Sequence, residues 1–68
     1  MIVICVDGEV IGERPDLSQA RAYAAAYVAE CVDDGLIKPG ARVEVTCRAG
    51  RFRLGRWEIV AVDPVKGA

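Results

Sequence analysis

The sequence predicts an α+β fold, in which a four-stranded, mostly antiparallel sheet carries one helix on one face, in the order β-β-α-β-β. Three observations predict it: two apolar stretches meet at an Asp-Gly dipeptide, an alanine-rich segment has apolar residues at helical spacing, and two strand-like stretches flank Ala49-Gly50. The chain of 68 residues has room for a single domain, residues 1–68. A domain this short buries only about 60% of the surface that its unfolded chain exposes. We therefore expect a small core and some apolar surface left for a partner.

The first hairpin is predicted from Asp7-Gly8, because a two-residue turn of this kind needs positive φ at both positions. Residues 1–6 are apolar on both faces, which is typical of a central strand. Residues 9–14 carry charge and end next to Pro15, as expected of an edge strand. The turn predicts the cross-strand pairs Val6–Glu9, Cys5–Val10, Ile4–Ile11 and Ile2–Glu13.

The helix is predicted from about residue 17 to residue 34. Asp16 or Ser18 can cap its first turn, with Gln19 as the capping-box partner of Asp16, and Gly35 supplies the stop. At 100° per residue, one stripe collects the side chains that should face the sheet. These are Leu17, Ala20, Ala24, Tyr27, Val28 and Cys31, with Tyr23 and Val32 at the borders.

The second hairpin follows the turn signal Pro39-Gly40. Alternation over residues 41–48 predicts two faces: Val43, Val45 and Cys47 toward the helix, and Arg42, Glu44, Thr46 and Arg48 away from it. Ala49-Gly50 is predicted to form the turn. In the last strand the apolar phase changes at Gly55, which indicates a β-bulge. With the bulge, the core-facing residues are Phe52, Leu54, Trp57, Ile59 and Ala61, and the tail 64–68 is expected to be frayed.

The far face of the sheet is also partly apolar. It receives Val3, Cys5, Val10, Val60 and Val62. Because one helix cannot cover both faces, this surface needs a partner, and a second copy of the chain is one candidate. We therefore expect a second interface at Val3, Val10, Val60 and Val62, in a homodimer.

Catalytic and metal-binding patterns are missing from the sequence. The chain has no histidine, so that Ser-His and Cys-His dyads are excluded, and it has no glycine-rich phosphate loop. Its three cysteines lack CxxC spacing, which favours reduced core thiols over a zinc site or a disulfide framework. We expect a protein that is not an enzyme and has no catalytic residue, metal or cofactor.

The chain also gives no sign of a membrane partner. The opening apolar run MIVICV has six residues, too few for a membrane span or a signal-peptide core, and it lacks a basic leader. We expect a cytoplasmic protein.

The net charge of −1 is unevenly distributed, since residues 1–34 hold seven acids against two bases and residues 35–68 hold seven bases against three acids. The halves thus carry −5 and +4, which suggests a polarised surface.

The stretch RAGRFRLGR, residues 48–56, is the strongest candidate for binding. In the predicted second hairpin, guanidinium groups share the outer face of two adjacent strands, where they could bind carboxylates or phosphates. The candidate partner-binding residues are Arg42, Arg48, Arg51, Arg53 and Arg56. Three interpretations stay open: a solvated hairpin face that discourages aggregation, a docking site for an acidic protein surface, and a nucleic-acid site. A pI near 5.2 and the predicted inward aromatics count against nucleic acid.

Three segments carry a resemblance to a known class of proteins. DLSQARAYA at the start of the helix, followed by ARVEVTCRAG and LGRWEIV, resembles the small phage-encoded inhibitors of host defence, particularly anti-CRISPR proteins, over residues 16–62. The resemblance implies a non-catalytic protein in the host cytoplasm that binds a CRISPR-Cas ribonucleoprotein stoichiometrically and blocks it; no functional residue carries over. The first hypothesis is thus a protein-binding module. A small nucleic-acid-binding accessory protein and a structural homodimer subunit are the alternatives.

Overall fold

The computed structural model describes residues 1–62 and has the predicted α+β fold. The elements follow one another as β1 (Ile2–Val6), β2 (Glu9–Arg14), α1 (Leu17–Asp33), β3 (Arg42–Ala49) and β4 (Phe52–Val60). The four strands form one sheet in the order β2-β1-β3-β4, and every neighbouring pair is antiparallel. The predicted frayed tail lies outside the described residues.

The first hairpin turns as predicted, but its register changes halfway. Asp7 and Gly8 have φ of 49° and 84°, and β1 is a central strand between β2 and β3. The pairs Val6–Glu9 and Cys5–Val10 are confirmed. The next two predicted pairs, Ile4–Ile11 and Ile2–Glu13, are wrong: Ile4 lies opposite Gly12, and Ile2 opposite Arg14. Ile11 is the additional residue of a β-bulge.

The helix has the predicted caps and the predicted buried stripe. Asp16 is the N-cap: its Oδ1 accepts a hydrogen bond of 2.8 Å from the Gln19 backbone N–H, and its Oδ2 accepts one of 2.9 Å from Gln19 Nε2. Gly35 follows the C-cap residue with φ of 76°. The buried helix residues are Ala20, Ala24, Val28, Cys31 and Val32, whereas Leu17, Tyr23 and Tyr27 are half-buried against the core.

The core lies between the helix and one face of the sheet. Its most deeply buried large side chains are Ile4, Val28, Val45 and Cys47. Ala20 and Ala24 are fully buried, and their small size lets the helix lie close to the strands. The three cysteines are buried and free, as expected, but only Cys47 belongs to the core cluster. Burial of apolar surface stabilises the fold by about 25 cal/mol per Å², so that these few residues carry much of its stability.

The second hairpin confirms the bulge and corrects the turn. Ala49 still belongs to β3 and lies opposite Phe52, so that the turn is Gly50-Arg51 rather than Ala49-Gly50. Gly50 has φ of 59°, a conformation that glycine adopts without a Cβ penalty. Cys47 lies opposite Gly55 and Arg48 opposite Arg53, which makes Leu54 the additional residue of the bulge.

The predicted core positions of β4 are right only toward the end of the strand. Trp57 and Ile59 are half-buried against the core and Ala61 is 1% exposed, as expected. Phe52 and Leu54 were also expected in the core, and this prediction is wrong: they are 76% and 46% exposed. A helix of this length is only about 25 Å long, whereas the molecule extends over 40 Å, so that the end of the second hairpin has no helix above it.

Candidate binding surfaces

The sheet face that points away from the helix is called here the outer face. Residues directly opposite each other on paired strands lie on the same face. Val43, Val45 and Cys47 are buried toward the helix, which places their neighbours Glu44, Thr46 and Arg48 on the outer face, as predicted. The pairing of β3 with β4 then extends this face across the hairpin. It adds Arg53, Arg56, Glu58 and Val60, opposite Arg48, Thr46, Glu44 and Arg42 respectively.

The structure brings together three of the five candidate arginines. Arg48 and Arg53 lie directly opposite each other on the outer face, and Arg51 is in the adjoining turn. All three are exposed. Arg42 lies six residues from Arg48 along β3, which is about 20 Å in a strand, and Glu44 lies between them. The five arginines therefore do not form one site.

Arg56 is the candidate arginine whose charge is already compensated. Its Nη2 and Nε donate hydrogen bonds of 2.7 Å and 3.1 Å to Glu44 Oε2. Such an exposed ion pair stabilises a fold by at most about 1 kcal/mol, but it removes a free cation from the predicted set. These two side chains, with Trp57 and Glu58, line a shallow depression of about 400 Å³.

The second hairpin also has an exposed apolar feature that the sequence did not predict. Phe52 and Leu54, both exposed, flank Arg53 in the chain and follow Arg51 in the turn. Phe52 lies opposite Ala49 and so shares the helix-side face, beyond the reach of the helix. We call Arg51, Phe52 and Leu54 the hairpin tip. The signal that could have revealed it is length, since a helix of 17 residues is too short to cover a hairpin of this reach.

The four valines of the predicted second interface do not form one patch. Val3 and Val10 lie on the outer face of β1 and β2, and both are neighbours of Cys5. Val3 is two residues away from Cys5 along β1, and Val10 is directly opposite Cys5 on β2. Val60 is on the other edge of the sheet, opposite Arg42, and Val62 lies beyond the end of β4. Val10, Val60 and Val62 are 54%, 54% and 71% exposed, and Val3 is half-buried. The contiguous apolar side chains of the outer face are thus Val3, Cys5 and Val10, of which Cys5 is only 6% exposed.

Two titratable groups have shifted pKa values, and neither is placed to act as a nucleophile. Burial raises the pKa of the Cys47 thiol, which faces the core. A hydrogen bond to Cys31, one helical turn away, raises the pKa of Tyr27. Both shifts favour the protonated forms, whereas an attacking thiolate or phenolate needs a lowered pKa.

Within residues 1–62, no cluster of three or more Cys, Asp or Glu side chains has the geometry to hold a metal ion. No helix in the same range has the length and apolar character that crossing a membrane requires.

Comparison of the chain with protein-family models, with curated proteins and with solved structures finds no match.

Proposed function

We propose that this protein is a non-catalytic protein-binding module whose contact element is the hairpin tip. The observation that carries the proposal is the exposure of Phe52, 76% of whose surface is accessible at the end of a hairpin of defined structure. Covering a large apolar side chain contributes about 1.5–3 kcal/mol. Aromatic anchors flanked by arginine are also the usual composition of the residues that dominate protein interfaces.

The charges around the tip define the kind of partner. In the described part of the chain, Arg48, Arg51 and Arg53 make no ion pair, so that their guanidinium groups are free for a ligand. Arginine forms bidentate, charge-assisted hydrogen bonds with carboxylates. The complementary surface is therefore an apolar recess for Phe52 and Leu54 with Asp or Glu side chains at its rim.

Nucleic acid is the second candidate, because the exposure of Phe52 between Arg51 and Arg53 gives a base a side chain on which to stack. This observation removes one argument that the sequence raised against it. Two others favour a protein: Leu54 offers no stacking face, and Glu44 and Glu58 follow the arginines along the outer face, where they would repel a phosphate backbone.

The resemblance of residues 16–62 to small phage-encoded inhibitors suggests one class of partner to test, namely the protein surface of a CRISPR-Cas ribonucleoprotein. An inhibitor that binds stoichiometrically needs one well-ordered contact element and no chemistry. The hairpin tip, with Phe52 exposed at its centre, is such a contact element.

The test is an array of 12-residue peptides that combine one Trp, Phe or Leu with several Asp or Glu residues. Each peptide is matched by a copy in which the acids are replaced by Asn or Gln. We expect acidic peptides to bind the wild-type protein and their amide copies to bind at least about tenfold more weakly, since hydrogen bonds to charged groups contribute about 1.5–3 kcal/mol. Phe52→Ser with Leu54→Ser should abolish binding.

The matched control is Val10→Ser, which removes a similarly exposed apolar side chain from the outer face and should bind like wild type. Chemical-shift changes on peptide addition should map to residues 48–54. Absence of saturable binding to any peptide, or changes confined to other residues, would overturn the proposal. Labelled single-stranded RNA and duplex DNA form the second arm, in which binding that is steeply salt-dependent and lost with Phe52→Ser would place nucleic acid first.

A further inference from the structure

The charges on the outer face are arranged in rows across the second hairpin. The first row, nearest the turn, is Arg48 beside Arg53, which we call the basic pair. The next row is Thr46 beside Arg56, and the third is Glu44 beside Glu58, which we call the acidic pair. On β3, Arg48 and Glu44 each lie two residues from Thr46, on opposite sides of it. The basic pair and the acidic pair are therefore about 13 Å apart along the strand.

This arrangement is unfavourable within a single chain. Like charges directly opposite each other on neighbouring strands destabilise a sheet, and opposite charges there stabilise it. The hairpin has two like pairs of opposite sign, and exchanging Arg53 with Glu58 would turn both into favourable pairs. In residues 1–62 neither Arg48, Arg53 nor Glu58 has an ion-pair partner. These three charges are therefore available to a partner with the reverse order, whereas Glu44 is already paired with Arg56.

A second copy of the same chain has that reverse order when its strands run the opposite way. A twofold axis that lies between two facing sheets, perpendicular to the strands and above Thr46, places β3 on β3 and β4 on β4. The basic pair of each copy then lies over the acidic pair of the other, four charged contacts in all by symmetry. Arg56, in the middle row, reaches the axis already paired with Glu44.

The same axis places the apolar part of the outer face at its centre. Cys5 is opposite Thr46 on β3 and Val10 on β2, so that these side chains form the middle row of the whole sheet. Around the axis they would meet their own copies, as the inner faces of packed sheets do about 10 Å apart. Asp7, beyond β1, adds to the acidic end, whereas Glu13 lies at the opposite edge from Arg53.

The size of the face is sufficient for such an interface. The molecule measures 40 × 19 × 16 Å, and standard interfaces bury about 800 Å² on each partner, which is the footprint of the largest side. We infer that the outer face is a self-complementary interface with a second copy of this chain, strands antiparallel, basic pair on acidic pair. Arg48 and Arg53 would be engaged by the second copy, whereas Phe52 of the hairpin tip is on the helix-side face and stays free, so that this inference does not rest on the proposed function.

Sedimentation of the wild-type protein at low ionic strength should give a dimer, which about 1 M NaCl dissociates because the Debye length falls to about 3 Å. Arg48→Glu with Arg53→Glu should give a monomer, and so should Glu44→Arg with Glu58→Arg. Each change raises the dimer Kd by more than about 100-fold, since like charges meeting across an interface cost several kcal/mol. Mixing the two variants should give a heterodimer.

The decisive variant carries all four substitutions. It reverses every charge of both pairs, so that complementarity across the proposed axis returns and the homodimer with it. Arg51→Glu in the turn and Glu30→Arg on the helix, both exposed, are control reversals that should leave the dimer intact. A wild-type monomer at millimolar concentration, a dimer indifferent to the paired reversals, or a fourfold variant that stays monomeric while folded by circular dichroism would each overturn the inference.

Discussion

The ring of Tyr23 lies so close to Gly12 that a Cβ atom on Gly12 would be 2.9 Å from the tyrosine hydroxyl oxygen. The same hydroxyl donates a hydrogen bond of 2.9 Å to the carbonyl oxygen of Ile11, the additional residue of the bulge in β2. The Arg14 guanidinium carbon lies over the same tyrosine ring, 4.0 Å from its centre. Tyr23 thus attaches the helix to the edge strand at the bulge.

Gly12→Ala should destabilise the protein by about 1–3 kcal/mol, the usual cost of overpacking. The ring cannot move aside without losing its hydrogen bond to Ile11. Urea unfolding followed by Trp57 fluorescence measures the effect. Gly55→Ala is the matched control, because its added Cβ would be an ordinary 3.5 Å from Trp57, and it should change stability by much less. Equal losses for the two variants would contradict the assigned contact.

The close approach of the helix to the sheet gives the second prediction. Ala24 is fully buried, whereas its neighbour Ala25 is exposed. Ala24→Leu should push the helix away and lower the free energy of unfolding by about 1–3 kcal/mol. Ala25→Leu makes the same chemical change toward solvent and should leave thermal unfolding nearly unaltered. If both variants unfolded at the wild-type temperature, Ala24 would not face the strands.

The N-cap of the helix gives the third prediction. Asp16→Ala removes the oxygen that accepts the Gln19 backbone N–H, which should cost about 1 kcal/mol. Asp16→Asn keeps an acceptor at the same position and should retain most of the stability. Ser18→Ala, at the alternative cap residue that the sequence suggested, should have little effect. Chemical denaturation of the three variants orders them, and a larger loss for Ser18→Ala would reverse the cap assignment.

The fourth prediction concerns alkaline pH. The pKa of Cys47 is raised above its ordinary 9.0 in the folded state, because burial disfavours the thiolate. The unfolded chain therefore loses this proton at lower pH than the folded protein does. The stabilising contribution is complete at neutral pH and declines as pH rises above 9.0 toward the folded-state pKa. Tyr27, whose pKa is raised above 10.0, adds a decline in the same direction at higher pH.

Urea unfolding at a series of pH values tests this. Cys47→Ala should be less stable than wild type at neutral pH, with a shallower alkaline decline. Val45→Ala, two residues along the same strand and equally buried, removes core volume without a titratable group. It should keep the wild-type decline. An unchanged slope in Cys47→Ala would show that this thiol does not contribute to it.

The turn of the first hairpin and the helix boundaries were predictable because local geometry decides them. Asp7 and Gly8 both adopt positive φ, which few other dipeptides tolerate. Asp16 and Gly35 end the helix for reasons that lie within a few residues of each end. The bulge near Gly55 was also predictable from the sequence, because the alternation of apolar and polar residues changes phase there.

The bulge at Ile11 could not be predicted from β2 alone, since the side chain that bonds to it, Tyr23, is twelve residues away in the chain. The exposure of Phe52 and Leu54 was missed for a related reason. Apolar alternation correctly predicts which side of the sheet a residue faces, but not whether another element extends far enough to cover it. Coverage depends on the position of the helix over the sheet, which is a tertiary property.

The candidate arginines were predicted on the right strands and only partly in the right grouping. Alternation places Glu44 and Arg56 on one face, but their ion pair is diagonal, since Arg56 lies directly opposite Thr46. The residue opposite each arginine depends on the position of the turn. The turn is one residue later in the structure than in the prediction. The pairing of Arg48 with Arg53 follows from that register.

The strand order β2-β1-β3-β4 has a consequence for how the chain folds. Each hairpin joins neighbouring segments and can form within about 1–10 μs, whereas the seam between β1 and β3 joins residues about forty positions apart and must wait for closure of the chain. The two halves meeting there carry −5 and +4, so that their mutual attraction favours the encounter before any contact is made. Added salt should therefore slow refolding more than it speeds unfolding. The uneven charge of this small chain thus favours the encounter of its two halves during folding.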